Sequence, residues 1–210
     1  NEESSLPVTL KALPKKIDGI DEIQVLIIDD GSKDRTVEVA KELGVENFVI
    51  MPHNSGLARA FVAGINKALA LDADIIVNTD ADNQYCADDI ENLVKPIISG
   101  EADIVIGSRP VSEIEHFSPL KKLLQKLGSS VMRLISSTDV EDAPSGFRAF
   151  SRNSAIQLNV FDNYTYTLET IIQARAKGLQ LKCVPIAVNP DLRESKLVKN
   201  MFDYIRRSMF

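Results

Sequence analysis

Cysteine is scarce in this chain: Cys86 and Cys183 are too few and too far apart for a disulfide framework or a thiolate zinc site, so a reducing compartment is expected. No apolar run approaches the ~20 residues that span a bilayer, and no signal peptide is apparent. These absences point to a cytoplasmic protein, soluble or peripheral to a membrane. A basic excess is missing as well. With 24 Lys and Arg against 30 Asp and Glu, the net charge of −6 argues against a nucleic-acid partner, because phosphate neutralisation needs a basic surface. There is no internal repeat, low-complexity tract or convincing linker. What is present is ordinary for a globular domain: 210 residues, 44% hydrophobic and 26% charged. The charge is uneven, since Arg193, Lys196, Lys199, Arg206 and Arg207 cluster near the end against only Glu194 and Asp203.

Apolar runs and turn residues alternate regularly through the first half. Residues 4–17 read as a helix with Pro7 in its first turn. Ile23 to Ile28 is a β-branched run without polar alternation, the pattern of a strand buried on both faces. It ends on Asp29-Asp30-Gly31-Ser32, and Asp34 then caps a helix that runs to about Leu43. Asn47 to Met51 is the next strand. Asn54-Ser55-Gly56 opens a helix marked by Leu57, Phe61, Ile65 and Leu69. A strand from Asp74, a helix from about Ala87 to Ile98, and a strand over Ile104 to Ile106 complete four alternations. This order predicts a doubly wound α/β domain on a parallel sheet. The second half is less regular. It holds a helix over 119–135, a turn at Ser145-Gly146-Phe147-Arg148, a helix from Tyr166 to Lys177, and an edge strand over Leu181 to Val188 interrupted by Pro185.

Three polar clusters fall where strands end, the edge at which open α/β sheets bind ligands. They are Asp29-Asp30-Gly31-Ser32, Asp80-Ala81-Asp82 and Gly107-Ser108-Arg109. In the second, two carboxylates spaced i, i+2 after a strand point the same way and repel by roughly 4 kcal/mol at 4 Å and an effective dielectric of ~20. A divalent cation with oxygen ligands would offset that repulsion, with Gln84 offering a further carbonyl oxygen. An acidic turn with no ligand is the other reading of the tripeptide. A cation bridging a carboxylate and a diphosphate would suit a phosphorylated ligand.

Taken in order, Asp29-Asp30-Gly31-Ser32-Lys33-Asp34-Arg35-Thr36, Asn54-Ser55-Gly56, Asp80-Ala81-Asp82-Asn83-Gln84 and Ser145-Gly146-Phe147-Arg148 resemble successive motifs of the family 2 glycosyltransferases. The branch they are most similar to is that of the dolichol-phosphate mannose synthases and related polyprenyl-phosphate enzymes. The resemblance implies a GT-A fold over residues 1–196, inverting transfer from a GDP- or UDP-sugar, and Mg2+ or Mn2+ as cofactor. It implies Asp29 and Asp30 near the nucleoside, Asp80, Asp82 and Gln84 on the metal, and Arg193 and Lys196 over the donor. Arg109, Lys126, Ser145 and Arg148 would face the acceptor phosphate, so that Asp80, Asp82, Arg109 and Arg148 form the catalytic set. The family pattern also has a first strand leading into the pair seen here as Asn1-Glu2. That strand is expected to lie upstream of this sequence, as the transmembrane helices of many relatives would lie beyond it.

The acceptor can be argued from chemistry too. A polyprenyl phosphate is already ionised at neutral pH and needs positioning by basic residues, whereas a sugar hydroxyl needs a carboxylate base, for which Asp142 and Glu169 are candidates. Both are also readable as structural residues. Residues 197–210 form an amphipathic basic helix, with Leu197, Met201, Phe202, Ile205 and Met209 on one side. It suits either a membrane surface, at ~1 kcal/mol per basic residue, or a domain-closing role. A glycosyltransferase acting on a glycan hydroxyl, a sugar-phosphate nucleotidyltransferase and a nucleotide-sugar binding module remain the alternatives.

Overall fold

The computed structural model describes residues 1–110, 140–161 and 166–190. The expected helix over 119–135, Lys126, Arg193, Lys196 and the helix over 197–210 lie outside those residues. Helix α1 (Leu6–Ala12) is shorter than its apolar pattern predicts. It stops because Leu13 precedes Pro14, which disfavours the helical region for the residue before it; Leu13 accordingly has an extended ψ of 138°. Then follow β1 (Leu26–Asp29), α2 (Thr36–Glu42), β2 (Asn47–Ile50), α3 (Leu57–Ala70) and β3 (Ile75–Asn78). After a single 3-10 turn come α4 (Ile90–Ile98), β4 (Ile104–Ser108), β5 (Arg148–Ser151), α5 (Arg152–Gln157), α6 (Thr167–Ala176) and β6 (Leu181–Pro185).

The expectation of one parallel sheet is corrected in two ways. First, β5 runs antiparallel between β3 and β4, giving a mixed four-stranded sheet of order β3-β5-β4-β6. The turn expected at Ser145 to Arg148 lies earlier, at Ala143-Pro144, where Ser145 N donates to the Asp142 carbonyl, and Arg148 already starts a central strand. Second, β1 and β2 pair in parallel as a separate two-stranded sheet. The apolar runs of β1 and β3 are only part-buried, whereas every residue of β4 is buried.

Side chains of β4 and β5 alternate between two cores, as strand geometry requires. Ile104, Ile106 and Phe150 pack with Phe61 and Ile65 of α3 and Ile171 and Ala174 of α6. Val105, Ala149 and Phe147 pack with Leu93 and Val94 of α4. Helix α3 spans both sheets, since Gly64 lies against Ile28 while Phe61 contacts Phe150. Strand β6 sits at the sheet edge, where Pro185 costs no central hydrogen bond.

Candidate active site

The loops that follow β1 and β3 are tied together by the start of the chain. The backbone N–H of Glu2 donates to Thr36 Oγ1, and Thr9 Oγ1 donates to the Ala81 carbonyl at 3.1 Å. Both acidic residues at the end of β1, Asp29 as its last residue and Asp30 just beyond, hold backbone. Asp29 Oδ2 accepts from Ser32 N at 3.1 Å, and the two oxygens of Asp30 accept from Ser55 N and Gly56 N at 2.7 and 2.9 Å. Gly31 has φ +74°, and a Cβ there would lie 2.7 Å from Asn54 N, so the two turns can meet only at a glycine. Beside them opens a cleft of about 640 Å³, lined by Asp29, Ser32, Lys41, Met51 and His53.

Strand β3 delivers Asp80. Its ladder with β5 ends with Asn78 opposite Arg148, and beyond that pair the Asp80 carboxylate lies against Gly146. A Cβ on Gly146 would lie 3.7 and 3.8 Å from the Asp80 carboxylate oxygens and 3.2 Å from Tyr166 Oη. Asp82 Oδ1 accepts from Gln84 N at 3.1 Å, which curls the loop, and Asn83 takes a left-handed φ of +61° that asparagine tolerates. Asn189 fastens the far side of the loop by donating from its side chain to the Asn83 and Tyr85 carbonyls, and from its backbone to Gln84 O. Among the described residues no three His, Cys, Asp or Glu side chains converge on one point.

The end of β4 builds a buried ion pair. Arg109 donates to Asp142 from its backbone N, from Nε at 2.6 Å and from Nη2 at 3.0 Å, with the two side chains 10% and 1% exposed. Burial works against the Arg109 charge, but these hydrogen bonds outweigh it, and the net direction is upward. Asp142 is thus bound to a cation rather than poised as a free base. Glu169 lies in the first turn of α6, where its carboxylate accepts the Phe161 N–H and a Gln173 side-chain N–H.

Arg148 is placed differently from the expectation that it faces a phosphate. It is completely buried, and its guanidinium donates to the carbonyls of Ser145, Thr167 and Ala143 and to Thr170 Oγ1. Burial lowers it from its ordinary value. Its observed work is to bind the turn before β5 to the start of α6. Ser145 is buried too, and its Oγ has no hydrogen-bond partner among the described residues.

Three residues of this wall were not among the sequence candidates. Tyr85 Oη accepts from Gly146 N at 3.1 Å, and Asn78 Nδ2 donates to Gly146 O at 2.8 Å and to Tyr166 Oη at 2.9 Å. Burial, with the Asp80 charge second, pushes the Tyr85 hydroxyl up to about 12 and moves Tyr166 upward as well. Both are neutral hydroxyls at physiological pH. Their only sequence signal was position: Tyr85 directly follows the acidic loop.

Comparison with known proteins agrees with this arrangement. Residues 1–158 match the family described as glycosyl transferase family 2. A UDP-N-acetylglucosamine--dolichyl-phosphate N-acetylglucosaminyltransferase of Methanococcus voltae is 34% identical over 183 residues, covering 77% of this chain and 73% of its own. An undecaprenyl-phosphate mannosyltransferase of Micrococcus luteus is 30% identical, covering 94% and 84%. Among solved structures, glucosyl-3-phosphoglycerate synthase from Mycobacterium tuberculosis, in complex with Mn2+, UDP-glucose and phosphoglyceric acid, superposes with a TM-score of 0.72. At 21% identity over 98% of this chain and 71% of the other, that match establishes a shared α/β fold. A family match across most of the chain settles the classification: the chain belongs to glycosyl transferase family 2.

Proposed function

We propose that this enzyme has the GT-A architecture and moves a sugar, with inversion, from a GDP- or UDP-sugar to a polyprenyl phosphate. The observation that carries the reading is the position of Asp80, just beyond the end of β3 and against Gly146, in a wall that also holds the buried Tyr166 hydroxyl. Asp80 and Asp82 would hold Mg2+ or Mn2+, with Gln84 beside them. Bound there, the cation would stabilise the charge that develops on the departing diphosphate. Asp29 and Asp30 fix the two turns that shape the neighbouring cleft, whose volume suits a nucleotide.

The names of the relatives supply the acceptor class, and the state of the carboxylates supports it. A phosphate oxygen is ionised before it attacks, so the protein needs only to place it and balance its charge. A hydroxyl acceptor would require a base, and both candidates are engaged, Asp142 by Arg109 and Glu169 by backbone and amide donors. Arg109 Nη1 takes no part in the Asp142 pair, and with Lys126 and Ser145 it is assigned to the acceptor phosphate. Arg193 and Lys196 are assigned to the donor and residues 197–210 to a membrane surface. Among the described residues no helix is long and apolar enough to cross a membrane.

The test is donor turnover by full-length protein, screened over GDP- and UDP-sugars with a polyprenyl phosphate and either metal. Asp82→Ala is expected to lose metal-dependent turnover, and chelation is expected to silence the wild type. Unchanged turnover under a chelator would remove the metal from the proposal. Transfer to a glycan hydroxyl in preference to the lipid phosphate would replace the acceptor.

A further inference from the structure

Beyond the last ladder pair, Asn78 with Arg148, the strand carrying Asp80 and the strand carrying Gly146 have no regular pairing to fix their spacing. Side chains bridge them instead. Asn78 Nδ2 donates both to the Gly146 carbonyl and to Tyr166 Oη, and Tyr166 Oη reaches the same carbonyl at 3.3 Å. Tyr166 is 1% exposed and its ring is clamped: Phe61 stacks on it at 3.8 Å with an interplanar angle of 1°, and the Arg148 guanidinium lies 5.9 Å from its centroid. The point where a Gly146 Cβ would sit is bordered at once by Tyr166 Oη and by both Asp80 oxygens. Asn78 supplies a donor to the hydroxyl, so the hydroxyl proton remains to be given. The hydroxyl reaches the Gly146 carbonyl, already accepting from Asn78, at a long 3.3 Å, and the Asp80 carboxylate, a stronger acceptor in its charged form, lies on the same glycine face.

We propose that Tyr166, oriented by Asn78 and the Phe61 stack, is a positioning residue that sets where the Asp80 carboxylate lies. The inference rests on the metal role assigned to Asp80 above. Partners that orient a ligating carboxylate typically change metal affinity by 10–100-fold when removed. Tyr166→Phe deletes the hydroxyl and keeps the ring stack. Asn78→Ala breaks the bridge from the other side, without touching the ring.

The experiment is a Mn2+ titration of the full chain in the presence of UDP, and in parallel GDP, followed by loss of the free ion's electron paramagnetic resonance signal. Near-ultraviolet circular dichroism reports the fold of each variant. Tyr166→Phe is expected to raise the Mn2+ half-saturation point about tenfold with its fold signal intact. Asn78→Ala is expected to move it the same way, and Asp80→Asn to abolish binding. Turnover by Tyr166→Phe should recover at saturating Mn2+. Wild-type affinity in a folded Tyr166→Phe, or in Asn78→Ala should the first variant not fold, overturns the positioning role when Asp80→Asn still loses the ion. Wild-type affinity in Asp80→Asn, or no Mn2+ binding by the wild type with either nucleotide, overturns the metal reading itself.

Discussion

Arg148 is a motif residue whose guanidinium is engaged inside the fold. Among the described residues its four hydrogen bonds all go to the protein, three of them to the backbone carbonyls of Ser145, Thr167 and Ala143. Arg148→Met should therefore act through folding, lowering stability by about 3 kcal/mol or more, because it removes four buried hydrogen bonds from a charged donor, each worth ~1.5–3 kcal/mol. Urea unfolding measures this. A variant as stable as wild type that had lost only acceptor use would restore the phosphate-facing assignment. Asp80 and Asp82 were legible in the sequence, because a strand-like run followed by two carboxylates at i, i+2 leaves few geometries. Tyr166 was not legible: it meets Asn78 across 88 residues, and only the packing of α6 against α3 and β5 creates that contact.

Elements with strong local patterns were readable, including α3, with its apolar spacing, and the fully apolar β4. Strand β5 was not, for a physical reason. It is four residues long, begins with arginine and ends with serine, and follows a glycine-containing stretch, so nothing local distinguishes it from loop. Burial between β3 and β4 makes it a strand. The turn after β1 was readable as a turn, while its partner was not, since Gly31 meets His53 and Asn54 only in the fold. This separates two glycines with similar backbone. Gly31 (φ +74°) has backbone 2.7 Å from its Cβ position, whereas Gly44 (φ +86°) has nothing within 4 Å. Gly44→Ala should cost only the ~1–2 kcal/mol of a left-handed alanine, and Gly31→Ala more than that, with weakened UDP or GDP binding as the 53–56 turn is displaced. Thermal unfolding and nucleotide titration of both variants check this. Equal losses in the two would mean that the turn contact contributes nothing.

The active-site wall also sets how the whole molecule responds to alkali. Among the described residues, Tyr85 and Tyr166 are buried beside Asp80, and burial is the leading cause of the upward shift in both. A tyrosine ionises near 10 when unfolded, and Tyr85 at about 12 when folded. Between those values the folded state keeps a proton that the unfolded state has lost. The stabilisation is therefore fully present below about pH 10 and is lost as pH rises through the folded value, at ~1.4 kcal/mol per pH unit for each retained proton. Chemical denaturation at successive alkaline pH values should show this fall, and ultraviolet titration should show two phenols ionising late. Tyr85→Phe should remove its share of the slope. At neutral pH it should cost ~1–3 kcal/mol, since the Gly146 N–H loses its acceptor. An unchanged alkaline slope in that variant would mean that Tyr85 is not one of the late phenols, and that its hydroxyl reaches water despite the packing around it.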